Sequence, residues 1–189
     1  MATPKSQRIG IWIITITMII GTIGSFMAIV FSMQNGSTSA DDTSYEEYLE
    51  QQKVAGQLNA DNSEALDGYK PRVFEADKVE KLTVEIIKDG DGEKIESTDS
   101  IRVSYFGWTS DGKIFDSSNK KNAEDEPVTL NLSGVITGWS EGLAGVKVGS
   151  TVRLTIPADK AYGVMGSGII PANAPLEFII QVHEIITEV

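Results

Sequence analysis

The stretch "GVITGWSEGLAG", residues 134–145, decides the fold because it holds the single short helical candidate in the second half of the chain. The candidate is "GWSEGLAG", and it lies between "PVTLNL" and "TVRLTIPA", two short runs with the apolar pattern of strands. One tryptophan stands among four glycines, with no cysteine or histidine beside it. The stretch therefore offers no obvious nucleophile or metal ligand of its own.

Segments on both sides of this stretch alternate apolar and polar residues, as half-buried strands do. Five or six strands are predicted, with Asp-Gly turn signals at 89–92 and 111–112. The positions expected on the apolar face of the sheet are Ile101, Val103, Tyr105, Val152, Leu154, Ile156, Leu176, Phe178, Ile180 and Val182. One short helix with such strands predicts an α+β fold, an antiparallel sheet with the helix on its apolar face.

The N-terminal region contains an uncharged apolar stretch, residues 9–33. As a helix it would measure about 37 Å at ~1.5 Å per residue, which is enough to cross a bilayer. Lys5 and Arg8 precede it and two aspartates follow at 41–42, and positive charge stays on the cytoplasmic side. We therefore expect a single-pass membrane protein with residues 1–8 in the cytoplasm and the rest outside it. A cleaved signal peptide is the alternative, with "TSA" at 38–40 as a weak cleavage site.

Residues 34–79 have the composition of an acidic linker. They begin with Gly, Ser, Thr and Asn and continue as "DDTSYEEYLEQQKVAGQL", in which Ser44 and Glu47 have the spacing of a capping box. A short amphipathic helix is predicted there, either as a spacer that leans on the domain or as a helix that binds a partner. Residues 80–189 are predicted to form the folded domain.

The whole composition excludes several classes of function. The chain has 189 residues and a net charge of −11, so no basic surface is available to bind nucleic acid. The absence of cysteine removes disulfides, thiol catalysis and most zinc sites, and one histidine, His183, cannot build a metal site alone. We therefore expect neither a metal nor a cofactor.

Aromatic residues come from five separate segments: Tyr105, Phe115, Trp139, Tyr162 and Phe178. Composition alone favours a packed core, because aromatic residues are common there. Their sequence context is more specific. "VSYFGWTSDGKIFDSS", "GVITGWSEGLAGVKVGSTVRLTIPADKAYG" and "IIPANAPLEFIIQV" resemble, in order and spacing, the signature segments of FKBP-type peptidyl-prolyl isomerases. The resemblance covers roughly residues 80 to 187.

The resemblance implies a sheet wrapped across the short helix, with a hydrophobic pocket between them. Trp139 would form the pocket floor, and the glycines at 138, 142 and 145 would let the helix turn and pack closely on the sheet. Phe115 and Trp139 would act in catalysis with Asp116, near the twisting carbonyl, and Tyr162, whose hydroxyl would bind a second carbonyl. The other residues that the resemblance places at the substrate are Tyr105, Val128, Val135, Ile136 with its backbone N–H, Ile170 and Phe178.

The resemblance also implies an activity, cis–trans isomerisation of prolyl bonds in exported polypeptides. The implied partners are proline-containing chains, with the macrolide inhibitors tacrolimus and rapamycin as candidate ligands. Val128 stands where the family often has an aromatic wall, so the pocket would be more open. A second hypothesis is a tethered module that binds peptides or acts as a chaperone and turns over slowly.

Overall fold

A computed structural model describes residues 42–121 and 126–186, and the described residues from Glu46 onward belong to one compact unit. The elements are helices α1 (Asp42–Asn62) and α2 (Thr137–Leu143), and strands β1 (Thr83–Lys88), β2 (Ser100–Thr109), β3 (Ile114–Ser117), β4 (Val128–Asn131), β5 (Thr151–Ile156) and β6 (Leu176–Ile186). The predicted stub and anchor, residues 1–33, lie outside the described residues. Within the described ranges, no helix combines the length and apolar character needed to span a bilayer.

The six strands form one antiparallel sheet in the order β1-β5-β6-β2-β3, with β4 beside β2. β2 is central because β6 pairs along one edge from Ser100 to Thr109, while β3 and β4 share the other edge. The prediction of an α+β fold with an antiparallel sheet and a short helix is confirmed.

The inner face of the sheet carries the main core, into which α2 packs. Every position predicted for the apolar face lies in this core or against it. A Cβ on Gly138 would lie 2.3 Å from Cγ2 of Ile156, so only glycine allows this approach between α2 and β5. Gly145 differs from the expectation of close packing: no atom lies within 4 Å of its Cβ position, and its φ of 85° serves the turn after α2.

The outer face is covered by residues 63–79, a segment that the sequence assigned to the linker. α1 runs for 21 residues rather than a few turns, and the chain then crosses the sheet. A second apolar cluster forms there from Leu66, Phe106, Trp108 and Ile179, with Ala65, Tyr69, Phe74 and Ile114 packed against it. The apolar residues of 63–79 are too irregularly spaced to show a helix or strand period, so the sequence alone indicated a linker.

Candidate active site

Four elements bring four of the five predicted aromatic residues together at one end of the inner core. The ring of Trp139, on α2, contacts Tyr105 on β2 and Phe178 on β6, with centroids 5.2 and 5.3 Å apart. Phe115, on β3, meets Phe178 at 5.6 Å. All three contacts are edge-to-face, an arrangement that aromatic pairs favour. Trp139 is only 4% exposed, so it forms the base of this aromatic cluster.

The absence of a side chain at Gly107 leaves room for the rings of Phe115 and Phe178. A Cβ at this position of β2 would lie 2.4 Å from Cε1 of Phe178 and 2.7 Å from Cζ of Phe115. We expect Gly107→Ala to lower the free energy of unfolding by about 1–3 kcal/mol, because two packed rings must move. Denaturant unfolding measures this loss, and Gly134→Ala is the control because no atom lies within 4 Å of its Cβ position. Equal stability of the two variants would contradict this packing.

Asp116 follows Phe115 on β3 and holds its carboxylate beside the cluster. The Tyr105 hydroxyl donates to its Oδ2 atom. Its Oδ1 atom accepts from the backbone N–H of Ser117 at 2.8 Å, from Lys120 Nζ at 3.2 Å and from Asn59 Nδ2 at 2.9 Å. The carboxylate is thus held in one orientation by four donors. Sequence reasoning missed Lys120 and Asn59, because neither belongs to the quoted segments.

Burial keeps both tyrosines of the site uncharged. Desolvation, and then the negative charge of Asp116, raises the pKa of Tyr162 to about 12. The same causes, with the hydrogen bond to Asp116, raise the pKa of Tyr105 well above its usual value. Both hydroxyls therefore remain protonated donors at any pH at which the protein would work.

The raised pKa of Tyr162 has a measurable consequence at high pH. In the unfolded chain a tyrosine ionises near pH 10, so the protonated hydroxyl of Tyr162 stabilises the fold below that pH and this contribution is lost as pH rises towards about 12. We expect the free energy of unfolding of the wild type to fall more steeply over pH 10–12 than that of Tyr162→Phe. Denaturant titrations at successive pH values measure the difference. Identical slopes would mean that the hydroxyl is hydrated.

Two hydrogen-bond donors of the site have no partner among the described residues. One is the hydroxyl of Tyr162, and the other is the backbone N–H of Ile136, at the start of α2. Both residues are half-buried, and a donor with no protein partner at a partly accessible site is open to a ligand carbonyl. The remaining predicted residues, Val128, Val135 and Ile170, pack against the same core. The structure thus brings all ten predicted residues to one region, and their roles stay predictions.

Other surfaces of the described chain are less suited to the predicted chemistry. One shallow cavity of about 380 Å³ lies beside Arg72 and Glu177, and another of about 330 Å³ lies between β1 and α2. Neither is lined by a residue of the aromatic cluster. No cluster of three or more His, Cys, Asp or Glu side chains suited to a metal occurs in the residues that the structure describes.

Fold and site together define a domain in which an antiparallel sheet and one short helix enclose an aromatic site with a fixed carboxylate. Residues 91–183 match the family model described as FKBP-type peptidyl-prolyl cis-trans isomerase. The FK506-binding protein of Neisseria meningitidis serogroup A is 36% identical over 105 residues, which are 55% of this chain and 95% of that protein. The chain belongs to the FKBP-type peptidyl-prolyl cis-trans isomerase family.

Two further comparisons extend this result. The Escherichia coli K12 isomerase FkpA is 38% identical over 104 residues, which are 55% of this chain and 37% of FkpA, so this chain matches little more than a third of that relative. A crystal structure of a peptidyl-prolyl cis-trans isomerase from Pseudomonas syringae pv. tomato aligns with a TM-score of 0.51 and 26% identity. The alignment covers 80% of this chain and all of that one.

Proposed function

We propose that the chain catalyses cis–trans isomerisation of prolyl bonds at the aromatic cluster. The observation that carries the proposal is the position of two unpaired donors, the Tyr162 hydroxyl and the Ile136 N–H, at a cluster of rings with Trp139 at its base. A proline ring can pack on the apolar surface while its neighbouring carbonyls accept these hydrogen bonds. Membership of the family supports the same activity.

The proposed mechanism uses no acid or base. Rotation about the prolyl bond meets a barrier of ~18–20 kcal/mol, because resonance holds the bond planar. Twisting reduces the charge separation of the amide, so an apolar site favours the twisted form over the more polar planar form. Donors fixed on Tyr162 and Ile136 can hold the peptide during rotation. Each tenfold gain in rate requires a preference of about 1.4 kcal/mol for the twisted form.

A direct assay separates this activity from a second candidate, a peptide-binding module that turns over slowly. Val128, half-buried beside the core in place of an aromatic residue, favours the second candidate because it leaves a proline ring less enclosed. The chain should be mixed with a proline peptide in a protease-free isomerisation assay, with binding measured in parallel. Rates that rise with protein concentration support the isomerase. Uncatalysed rates with intact binding leave the binding module.

Two variants test the polar groups. We expect Tyr162→Phe to lower kcat/KM about fivefold to tenfold, the effect of one lost hydrogen bond in the transition state. Asp116→Ala should also lower turnover while the protein stays folded. Thermal melting checks the fold alongside the kinetics. Loss of stability in proportion to loss of activity would show that these residues act only in packing.

We also propose that the domain is tethered to a membrane and acts outside the cytoplasm on exported proline-containing chains. The uncharged stretch at 9–33 and the basic residues before it support the tether. Cell fractionation tests it, with a size comparison to a version that starts at Gln34, because a cleaved chain would migrate with the shorter version.

The same site is proposed to bind macrolide inhibitors such as tacrolimus and rapamycin. The relatives from two Neisseria meningitidis serogroups carry the name FK506-binding protein, which supports this proposal. Competition between a macrolide and a proline peptide for the chain tests whether they share the site.

A further inference from the structure

One face of α1 lies against the candidate active site. The half-buried residues of this face recur every three or four positions: Tyr48, Gln52, Gly56 and Asn59. Gln57, between two of them, is exposed. A Cβ on Gly56 would lie 3.2 Å from the backbone N of Ile169, so the helix backbone packs directly on the loop that carries Ile170. Further along the same face, Asn59 reaches the strand that carries Asp116. α1 therefore bridges two sides of the site.

The side-chain amide of Asn59 both donates and accepts hydrogen bonds. Its Nδ2 group donates to Oδ1 of Asp116 at 2.9 Å and to the carbonyl of Phe115 at 3.2 Å. Its Oδ1 atom accepts from Lys120 Nζ at 2.7 Å. A flipped amide would place its oxygen opposite the carboxylate and its NH₂ group opposite the ammonium, so these partners fix the orientation.

Lys120 completes the network. Its side chain is 14% exposed, and its ammonium donates to Asn59, to Ser63 Oγ at 3.0 Å and to Asp116 Oδ1. All three N–H donors of the ammonium are thus used, one on Asn59 of α1 and one on Ser63, the residue that follows α1. The backbones are also joined, because the N–H of Lys121 donates to the carbonyl of Asn62. The end of α1 is therefore fixed relative to the carboxylate.

We propose that Asn59 is a positioning residue for prolyl isomerisation, and that α1 is part of the catalytic unit. With Lys120, Asn59 holds the Asp116 carboxylate in the orientation that faces the site. Without this amide, the carboxylate loses one of its four donors and Lys120 loses the acceptor that fixes it, so part of the population turns away from the reactive orientation. The inference rests on the proposed function, since a positioning role requires a reaction.

The main test compares Asn59→Ala with the exposed variant Gln57→Ala in the full chain, solubilised in detergent. Among the described residues, the side chain of Gln57 bonds only to Asp61 on the same helix, so its removal leaves the site untouched. We expect Asn59→Ala to lower kcat about fivefold, as one lost hydrogen bond would, with KM and the melting temperature little changed. Gln57→Ala should match the wild type. Unchanged kcat in Asn59→Ala, or an equal loss in Gln57→Ala, would overturn the inference.

The direction of the change in turnover distinguishes a positioning role of Asn59 from a role of α1 as a cover that blocks the site. If α1 only obstructs substrate, Asn59→Ala raises turnover, which also overturns the inference. Asn59→Asp keeps the size of the side chain but faces Asp116 with a second negative charge, so we expect a larger loss than with alanine. An aspartate variant as active as the wild type would show that the amide donor is not needed.

A double-mutant cycle shows whether the effect passes through Asp116. In an Asp116→Ala background, Asn59→Ala should cause no further loss, because the carboxylate it positions is gone. An undiminished fivefold loss would contradict the proposal. An inactive wild type would instead refute the proposed function, so the two failures are distinguishable.

Discussion

Trp139→Ala should lose most of its turnover and about 3–5 kcal/mol of unfolding free energy, the range for removing a buried large aromatic side chain. The indole is 4% exposed and contacts the rings of Tyr105 and Phe178. Its loss opens a cavity at the base of the proposed proline site, so peptide binding and stability fall together. Denaturant unfolding, peptide titration and the isomerisation rate of the folded fraction measure the three effects.

A second tryptophan provides the control. Trp108 is fully buried in the outer cluster, away from the proposed site. Trp108→Phe and Trp139→Phe are the matched pair, because both keep an aromatic ring and are more readily folded than alanine variants. We expect the first to lose stability but keep its turnover per folded molecule, and the second to lose turnover. Equal turnover in the pair would remove Trp139 from the site.

Arg72→Ala should destabilise the fold by about 3 kcal/mol, near the lower end for a broken buried ion pair, because the arginine side chain is 53% exposed. Its guanidinium donates to both carboxylate oxygens of Glu177, at 2.6 and 3.0 Å. Glu177 is 1% exposed, so the variant leaves a buried carboxylate with Thr155 as its remaining side-chain donor. Denaturant unfolding at neutral pH measures the loss.

Arg102→Ala is the matched control for this ion pair. Arg102 pairs with Glu184 on the same sheet, but both side chains are about half exposed. Such surface pairs contribute about 0–1 kcal/mol, so we expect little change. Similar stability of the two arginine variants would show that residues 63–79 are a loose linker rather than part of the fold.

Much of the fold could be predicted from the sequence because its signals are local. Period-two alternation identified the inner face of β2, β5 and β6, since each strand buries one side against α2. The glycines at 138 and 142 marked the close approach of α2 to the sheet, which a Cβ at either position would disturb. The resemblance named the ten site residues, because nine lie in the quoted segments and Val128 stands where the family often has an aromatic wall.

The contributions of α1 and the segment after it could not be predicted in the same way. Asn59 and Lys120 are 61 positions apart and meet only because the chain crosses the sheet between them. Arg72 and Glu177 are 105 positions apart. A polar residue in an acidic segment normally indicates a solvated surface, and only tertiary structure shows which of these side chains are buried with a partner.

The most direct test of the proposed function is exchange spectroscopy on a short proline peptide, with cis and trans signals resolved and the full chain added in detergent. The uncatalysed exchange takes tens to hundreds of seconds. We expect the exchange rate to rise in proportion to the concentration of wild-type protein, and to rise much less when the Trp139→Phe variant is added at the same concentration. A rate that stays at the uncatalysed value with folded wild-type protein would contradict the isomerase.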